Sequence, residues 1–511
     1  MAYSSITNPG DYFNTVLYTG NGGTQSITGV GFQPDYVWLK ERASDAVDHK
    51  NVDSVRGATK KLESNTNELE GTATTTVTSF DSDGFSLGSS GATNGSSDTY
   101  VSWNWLAGGT APTQTYTVKV VSDSGNKYRF DDFGTSAVTL DLQEGGTYTF
   151  DQSDSSNSGH PLRFSTTSDG THGGGSEYTT NVTTTGTPGS SGAQTVITVA
   201  ASAPTLYYYC TQHSGMGGQA NTNSLFGSSN FAGSYQSLVS ANTTAGFSIV
   251  TYSGTGSNAT VGHGLGVAPS WIMVKEKTGS VNDWAVYAKA IGIGMSSPDP
   301  ETDYLILNEN NARADSNTVW NDTAPTSSVF SIGTGSTTNR SGSTYVAYCF
   351  SDVKGYSKFG GYTGNGNANG TFIYTGFKPA WIMVKVTNDG DNWHIIDNKR
   401  DSFNTMDSHL FANLNTAETT SSSYNFDMLS NGFKPRSTNN AFNASGKPYI
   451  YMAFAEQPLV GTNNIPSTAR WTMSINRDLA NIISGGFTSI EFANQASGSK
   501  EAYIRGVSLQ F

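Results

Sequence analysis

One short segment of the chain brings together three side chains that can bind a transition metal. Cys210, His213 and Met216 follow an aromatic stretch at residues 207–209, and His160 lies 50 positions before the cysteine. Thiolate sulfur favours Cu(I) and imidazole suits copper, and two His, one Cys and a weak axial Met form the trigonal ligand set of a type 1 copper site. The spacing therefore predicts a copper site whose ligands are His160, Cys210, His213 and Met216.

The pattern Cys-x2-His-x2-Met behind an aromatic strand, with Gly-His-Pro at residues 159–161, resembles the cupredoxins that have the shortest ligand loop. This resemblance covers residues 113–218 and implies a Greek-key β-sandwich whose four ligands converge at one end, with copper as the cofactor. The module is embedded in a repeat protein and has a long Gly/Ser/Thr loop between its ligands, which argues against electron transfer. The alternative is that Cys210 is a small buried apolar residue and the histidines lie in surface turns.

Two other sequence features could suggest a catalytic site, but a structural role explains each of them better. Residues 84–88 match the Gly-x-Ser-x-Gly turn of hydrolases. A second copy of the same segment has Val329 where that turn requires glycine, so we predict a strand. His394 aligns with Ala285 of another copy and is interpreted as structural. We find no catalytic set in the repeats and expect that the protein is not an enzyme.

A strand led by proline occurs three times, at residues 34–40, 269–275 and 379–385. Each copy follows a Gly-rich turn and precedes, by about seventy residues, an aromatic strand with large apolar residues at every second position. Period two is typical of a strand with one face against a core. We predict that the three copies share one fold, with Trp38, Met273 and Met383 at equivalent positions.

The spacing of the three copies indicates where the chain divides into modules. The first two prolines lie 235 residues apart and the last two 110 apart, so a module is inserted between copies one and two. We predict an all-β fold of tandem antiparallel β-sandwich repeats, with an inserted cupredoxin-like Greek-key sandwich and a short β-rich C-terminal segment. The predicted parts are repeat 1 (1–108), the cupredoxin-like module (113–218), a Ser/Asn/Gly-rich linker (219–245), repeat 2 (246–357), repeat 3 (358–460) and the C-terminal segment (461–511), which has one possible helical turn at 477–483.

Composition excludes several classes of protein. Only 14% of residues are charged and the net charge is −13, which disfavours binding to nucleic acid or to anionic membranes. No apolar run approaches 18 residues and the first residues are polar and uncharged, so we expect neither membrane insertion nor secretion, and synthesis in a cytoplasm. Two cysteines do not make a disulfide framework.

The repeats resemble β modules of about a hundred residues in structural proteins of tailed bacteriophages, especially those of marine and cyanobacterial hosts. The resemblance is carried by Tyr-Phe-x-Thr at residues 12–15, the Tyr-Thr-Gly-Asn-Gly turn, Gly-Phe-x-Pro at 31–34 and 376–379, and the final aromatic strand. It implies a virion protein of the tail or tail fibre, made in the host cytoplasm. Its partners would be itself, as a homo-oligomer and by analogy a trimer, other tail proteins, and a glycan or protein on the host surface. The alternative is a copper redox protein carried on an adhesive β-repeat scaffold.

Overall fold

The computed structural model describes residues 4–43, 46–223, 225–295 and 298–461, together with the backbone of two short strands near the C-terminus. It is 42% strand and 6% helix, which confirms the predicted all-β class. No helix in these ranges is long and apolar enough to cross a membrane. The chain divides into two compact units, residues 1–467 and 468–511.

Repeat 1 is a pair of antiparallel sheets. Its elements are β1 (Phe13–Thr19), β2 (Gln25–Thr28), β3 (Tyr36–Glu41), β4 (Lys50–Asp53), β5 (Lys60–Leu62), β6 (Gly71–Thr72), β7 (Val77–Asp81), β8 (Gly84–Leu87), α1 (Gly91–Asn94) and β9 (Thr99–Trp105), after a 3-10 turn at Pro9–Asp11. The large sheet has the order β1-β9-β3-β4-β5-β6, and the small sheet has the order β2-β8-β7. The Gly-x-Ser-x-Gly segment is strand β8, as predicted.

The inserted module is a sandwich of two mixed sheets. Its strands are β10 (Thr113–Ser122), β11 (Asn126–Phe130), β12 (Leu140–Gln143), β13 (Thr147–Asp151), β14 (Leu162–Ser165), β15 (Val182–Thr185), β16 (Gln194–Thr198), β17 (Leu206–Cys210) and β18 (Gly218–Asn223), with 3-10 turns at Ser155–Asn157 and Gly170–Gly173. The sheet orders are β11-β10-β13-β16-β15 and β12-β18-β17-β14. Strands β10 and β13 are parallel, as are β12 and β18. One hydrophobic cluster of residues from both sheets fills the space between them.

Repeat 2 has the same plan with a wider large sheet. Its elements are β19 (Ser228–Asn230), β20 (Ser237–Asn242), β21 (Phe247–Ser253), β22 (Ala259–Gly262), β23 (Trp271–Glu276), β24 (Ala285–Ala288), β25 (Asp303–Ile306), β26 (Ala314–Asp315), α2 (Asn317–Trp320), β27 (Val329–Ile332), α3 (Ser336–Asn339) and β28 (Thr344–Phe350). The large sheet runs β19-β20-β21-β28-β23-β24-β25-β26, and β22 pairs with β27.

The stretch expected to be a linker, residues 219–245, is instead built into both neighbouring sheets. It supplies most of β18 to the module, and β19 and β20 to repeat 2. Its Ser/Asn/Gly-rich composition indicated a loop, but the backbone groups of these residues find partners on both sides.

Repeat 3 again consists of a large and a small sheet. Its strands are β29 (Ser357–Thr363), β30 (Ile373–Tyr374), β31 (Phe377–Val386), β32 (His394–Asp397), β33 (Ser408–Phe411), β34 (Thr419–Thr420), β35 (Phe426–Leu429), β36 (Gly432–Pro435) and β37 (Pro448–Pro458), with a 3-10 turn at Ser422–Tyr424. The orders are β29-β37-β31-β32-β33-β34 and β30-β36-β35.

The second unit is described only in two stretches of backbone. These are β38 (Ile490–Phe492) and β39 (Lys500–Ala502), which pair antiparallel. The possible helical turn at 477–483 and most of the C-terminal segment predicted for 461–511 lie outside the described residues.

The predicted equivalence of the three copies is confirmed in the strand register. The proline-led strand of each repeat lies against the final aromatic strand with the same alignment. The paired positions are Trp38 with Trp103, Met273 with Tyr348, and Met383 with Met452. The turn glycines are equivalent too, since a Cβ at Gly20, Gly254 or Gly364 would lie 2.2–2.3 Å from a carbonyl oxygen of the loop before that aromatic strand.

Both faces of each large sheet are buried, whereas the sequence pattern predicted that only one face packs against a core. In β3, Val37 and Leu39 pack with Phe85 of the small sheet. Trp38 points the other way, into a cluster shared by all three repeats. Stacked rings cross the repeat boundaries in this cluster, for example Tyr36 on Tyr348 with centroids 4.4 Å apart. The repeats are therefore three sandwiches packed around one common core.

The three repeats also bind one another in a closed cycle of equivalent hydrogen bonds. One ring nitrogen from each repeat reaches a carbonyl oxygen of another repeat: His49 Nε2 to Phe411 (2.9 Å), Trp284 Nε1 to Glu63 (3.0 Å) and Trp393 Nε1 to Ile306 (2.9 Å). Repeat 1 thus bonds to repeat 3, repeat 3 to repeat 2, and repeat 2 to repeat 1. Because Trp38 Nε1 donates to His49 Nδ1, the other ring nitrogen of His49 carries the proton and donates like the two tryptophans.

We expect Trp393→Phe to lower the free energy of unfolding by about 1–3 kcal/mol more than Trp381→Phe does. Both side chains are fully buried in the common core, so the loss of ring volume is matched. Trp393 donates to Ile306, whereas Trp381 Nε1 is buried without a partner. Denaturant unfolding of the full chain measures the difference, and equal losses would show that the cycle adds no stability.

Candidate metal centre

Strand pairing brings the predicted ligands together from distant parts of the chain. Cys210 is the last residue of β17 and lies directly opposite Leu162, the first residue of β14. His160 precedes Leu162 by two residues, and His213 follows Cys210 by three. The end of one antiparallel pair therefore carries all three side chains.

The three side chains present their donor atoms to one another. Cys210 Sγ lies 3.9 Å from Nδ1 of His160 and 3.8 Å from Nδ1 of His213. The ligand atoms of the three residues all lie within 4.8 Å of one another. Metal–sulfur and metal–nitrogen bonds of about 2.3 and 2.0–2.1 Å sum to about 4.3–4.4 Å, so one ion can contact the sulfur and a nitrogen at once.

Met216, the fourth predicted ligand, is buried in the same hydrophobic cluster as Cys210. Its carbonyl oxygen accepts a 3.0 Å hydrogen bond from the backbone of Tyr128. The next residue must be glycine, because a Cβ at Gly217 would lie 1.7 Å from the carbonyl oxygen of Tyr208. This close approach folds the ligand loop back against β17.

Side chains outside the ligand set hold the ligand loop in place. The carboxylate of Asp169 accepts hydrogen bonds from Gly215 N and from the hydroxyl of Ser214. His172 Nε2 lies 3.0 Å from the carbonyl oxygen of Cys210. The sequence carries no signal for Asp169 or His172, because both lie in the loop between β14 and β15 and no spacing links them to the ligands.

A second group fixes the main chain at His160. Its carbonyl oxygen accepts from the phenol of Tyr128 at 2.8 Å and from the amide of Gln152 at 2.9 Å. The Gln152 side chain also accepts from Leu162 N, so it bonds the main chain on both sides of Pro161. The loop conformation is thus fixed by the protein itself, which is what a preformed site requires.

The surroundings of His160 favour its neutral imidazole. Burial, and then the neighbouring His213, lower the pKa of His160 below its usual value. A metal binds only the unprotonated nitrogen of histidine, so the shift favours binding near neutral pH. Cys210 is fully buried while His213 is exposed, and the site can therefore be reached from solvent on the His213 side.

The donor set fits copper by its chemistry. One buried thiol and two imidazole Nδ1 atoms are donors that suit copper, and a thioether is the weak fourth ligand of such sites. When bound there, copper would supply the gain and loss of a single electron. Cys210, His160 and His213 would hold the ion, and the hydrogen bonds to the loop would keep these groups in place. Met216 lies in the core of the same module.

The other suggestive residues lie in the repeat cores. Cys349 is buried in repeat 2, and burial raises the pKa of its thiol well above the usual range. His394 is buried in repeat 3 and its Nδ1 lies 3.3 Å from Nδ1 of His409. Aromatic side chains surround this histidine pair, so both residues pack as core groups.

Comparison with known proteins covers the repeats and most of the first two strands of the module, but not the rest of the module. No curated protein and no solved structure matches the chain significantly. One family model matches residues 8–129 and 220–458, which include most of all three repeats and leave out the four predicted ligands. The match covers well over half of the chain, which therefore belongs to the family described as a domain of unknown function (DUF7483).

Proposed function

We propose that this chain is a structural protein of a tailed-phage virion, part of the tail or tail fibre, that serves in assembly and host-surface attachment. The proposal begins from the phage-like motifs of the repeats. It gains support from Gly31, Gly266 and Gly376, which all have positive φ angles of 73–89° at the turn before the proline-led strand. The second copy, whose motif departs most from the phage pattern, keeps the same turn.

The observation that carries the proposal is the closed cycle of the three repeats. A virion protein works outside the cell, where an unfolded molecule is not rescued by chaperones. Eight tryptophans are fully buried in the repeats, and the hydrogen-bonded cycle joins each repeat to the other two. Such a body suits a permanent building block better than a protein that must change shape in each catalytic cycle.

The proposed partners are a second and third copy of the chain, other tail proteins, and a host-surface glycan or protein. The cycle of repeats is complete within one chain. Contacts between copies would therefore use the outer faces, where large apolar side chains such as Val267 and Val281 are exposed.

The chain is expected in purified phage particles and as a stable oligomer in solution. Mass spectrometry of gradient-purified particles tests the first point, and labelling for electron microscopy places the protein on the tail. Light scattering of the recombinant chain tests the second. Absence from particles would overturn the proposal, whereas a monomer found in particles would overturn only the oligomer.

A second candidate function is a copper redox protein carried on an adhesive scaffold. The observation that favours it is the convergence of Cys210, His160 and His213, with donor atoms 3.8–3.9 Å apart. A reversible one-electron potential of the copper-loaded chain would support this function. Copper binding without reversible electron transfer would leave the module as a structural insert.

A further inference from the structure

A cavity of about 550 Å³ opens between repeats 1 and 3. One wall includes Phe13 and Thr15 of β1, and the other includes Asn398, Phe403 and further residues of repeat 3. Its volume lies within the range of about 300–1,000 Å³ that is typical of ligand pockets.

The cavity borders strand β1, at the edge of the large sheet of repeat 1. The equivalent edge in repeat 2 is covered by another strand. There the equivalent strand β21 pairs with β20, which arrives from the inserted module. In repeat 1, β1 is the end strand of its sheet and has no such covering strand among the described residues. The cavity is therefore a consequence of how the chain is connected, and not of a gap in the repeat fold.

Two residues that line the cavity each carry a buried polar atom that has no hydrogen-bond partner. These atoms are the hydroxyl oxygen of Thr15 and the amide oxygen of Asn398. Burying such a group without a partner costs about 1–3 kcal/mol. The amide nitrogen of Asn398 already donates to Glu456 at 2.8 Å, which fixes the side chain and leaves its oxygen as the acceptor.

An aromatic ring stands at the cavity rim. Phe403 is 84% exposed, the largest exposure among the large hydrophobic side chains described. Below it, Met406 and Met428 are buried and give the cavity an apolar floor. A ligand with one apolar face and several hydroxyl groups would cover the ring. Rotation of the Thr15 and Asn398 side chains would turn their unpaired oxygens towards its hydroxyls, and neither oxygen has a bond to lose.

The charges on the walls are largely balanced. Lys378 and Glu456 form an ion pair at 2.7 Å, and Lys399 is exposed beside them. A multiply charged ligand such as a nucleotide would meet one uncompensated cation at most. A saccharide, either neutral or with a single carboxylate, fits the polarity of the walls better.

We propose that this cavity binds a saccharide unit of a surface glycan, with Phe403 under the apolar face of the sugar ring and with Thr15 and Asn398 bonding its hydroxyls. The inference rests on the proposed attachment function and gives it a site. Phe372 provides a matched control, because it is also an exposed phenylalanine of repeat 3 and does not line the cavity.

The test is binding of the full chain to an array of purified bacterial lipopolysaccharides and capsular polysaccharides. We expect at least one glycan to be retained, with affinity reduced roughly tenfold by Phe403→Ala and unchanged by Phe372→Ala. Thr15→Val should weaken binding about threefold while leaving thermal stability unchanged or higher, because it removes an unpaired buried hydroxyl. A purely structural role of Thr15 would not produce that combination.

Each outcome separates this inference from the proposed function. A chain that is present in particles but retains no array glycan overturns the cavity inference alone. Glycan binding that Phe403→Ala and Thr15→Val leave intact also overturns it, and places attachment elsewhere on the protein. Cavity-dependent binding by a chain that is absent from particles supports the site and overturns the virion role.

Discussion

Arg56→Ala is expected to lower the free energy of unfolding by about 3–5 kcal/mol, because it leaves a buried carboxylate without its partner. The side chains of Arg56 and Asp53 are both fully buried, and their charged groups lie 2.5 Å apart. The pair also joins two repeats, since the phenol of Tyr348 donates to Asp53 at 2.6 Å and accepts from Arg56. Denaturant unfolding followed by tryptophan fluorescence measures the loss, because the inserted module contains no tryptophan.

Two controls sharpen this measurement. Arg436→Ala breaks a more exposed pair with Asp427 at 3.4 Å and should change stability by less than about 1 kcal/mol. In repeat 2 the positions equivalent to Asp53 and Arg56 are apolar and are occupied by Ala288 and Ile291. The double variant Asp53→Ala with Arg56→Ile copies these two residues and should regain part of the stability lost in Arg56→Ala.

If Arg56→Ala and Arg436→Ala lose similar stability, the buried junction between repeats is not a source of stability. The corresponding junction between repeats 1 and 3 should then contribute no stability either. There Trp103 Nε1 donates to Asp397 at 3.0 Å, and Asp397 pairs with Arg400.

The sequence was sufficient to predict the proline-led and final aromatic strands and their equivalence in the three copies. A proline, an aromatic residue two places on and a closing lysine fix the phase of each strand, and the final aromatic strand follows at a similar distance. The ligand cluster was predictable for a related reason. Two members of the converging group, Cys210 and His213, lie three residues apart, so local geometry decides where they point.

The common core of the repeats was not predicted, although the sequence contains a signal for it. Residues 36–39 and 271–274 are continuous apolar runs, which are typical of strands buried on both faces. The alternation in the final strand, with polar Ser102 and Asn104 between aromatic residues, suggested one exposed face. Both polar side chains are in fact buried, and Asn104 donates to Asn14 O and to Ser102.

Three buried asparagines were not predicted either, because the sequence around them carries no signal of burial. Asn94, Asn339 and Asn443 occupy equivalent positions, and each side chain bonds the Gly-rich turn that opens its repeat. Asparagine is common in turns, so its presence in a Gly/Ser-rich stretch gives no sign of burial. Only the three-dimensional contact between distant segments shows that these side chains hold the turn in place.

The full chain loaded with Cu(II) is expected to absorb strongly in the visible range, and Cys210→Ser should abolish that band. The sulfur of Cys210 is the thiolate ligand in the proposed set and lies 3.8–3.9 Å from both imidazole nitrogens. Cys349→Ser is the matched control, because Cys349 is equally buried but packs in repeat 2 away from any described histidine–cysteine group. It should leave the spectrum unchanged.

Copper should also stabilise the folded chain through the module that holds the site. A ligand that binds only the folded state adds about 2.7 kcal/mol of stability at a hundredfold excess over Kd. Scanning calorimetry of the full chain measures its unfolding midpoint with and without Cu(II). A rise in that midpoint that is absent in Cys210→Ser would assign the binding to this site. A colourless wild-type chain, or equal shifts in wild type and Cys210→Ser, would overturn the copper assignment and leave the converging side chains as part of a structural insert.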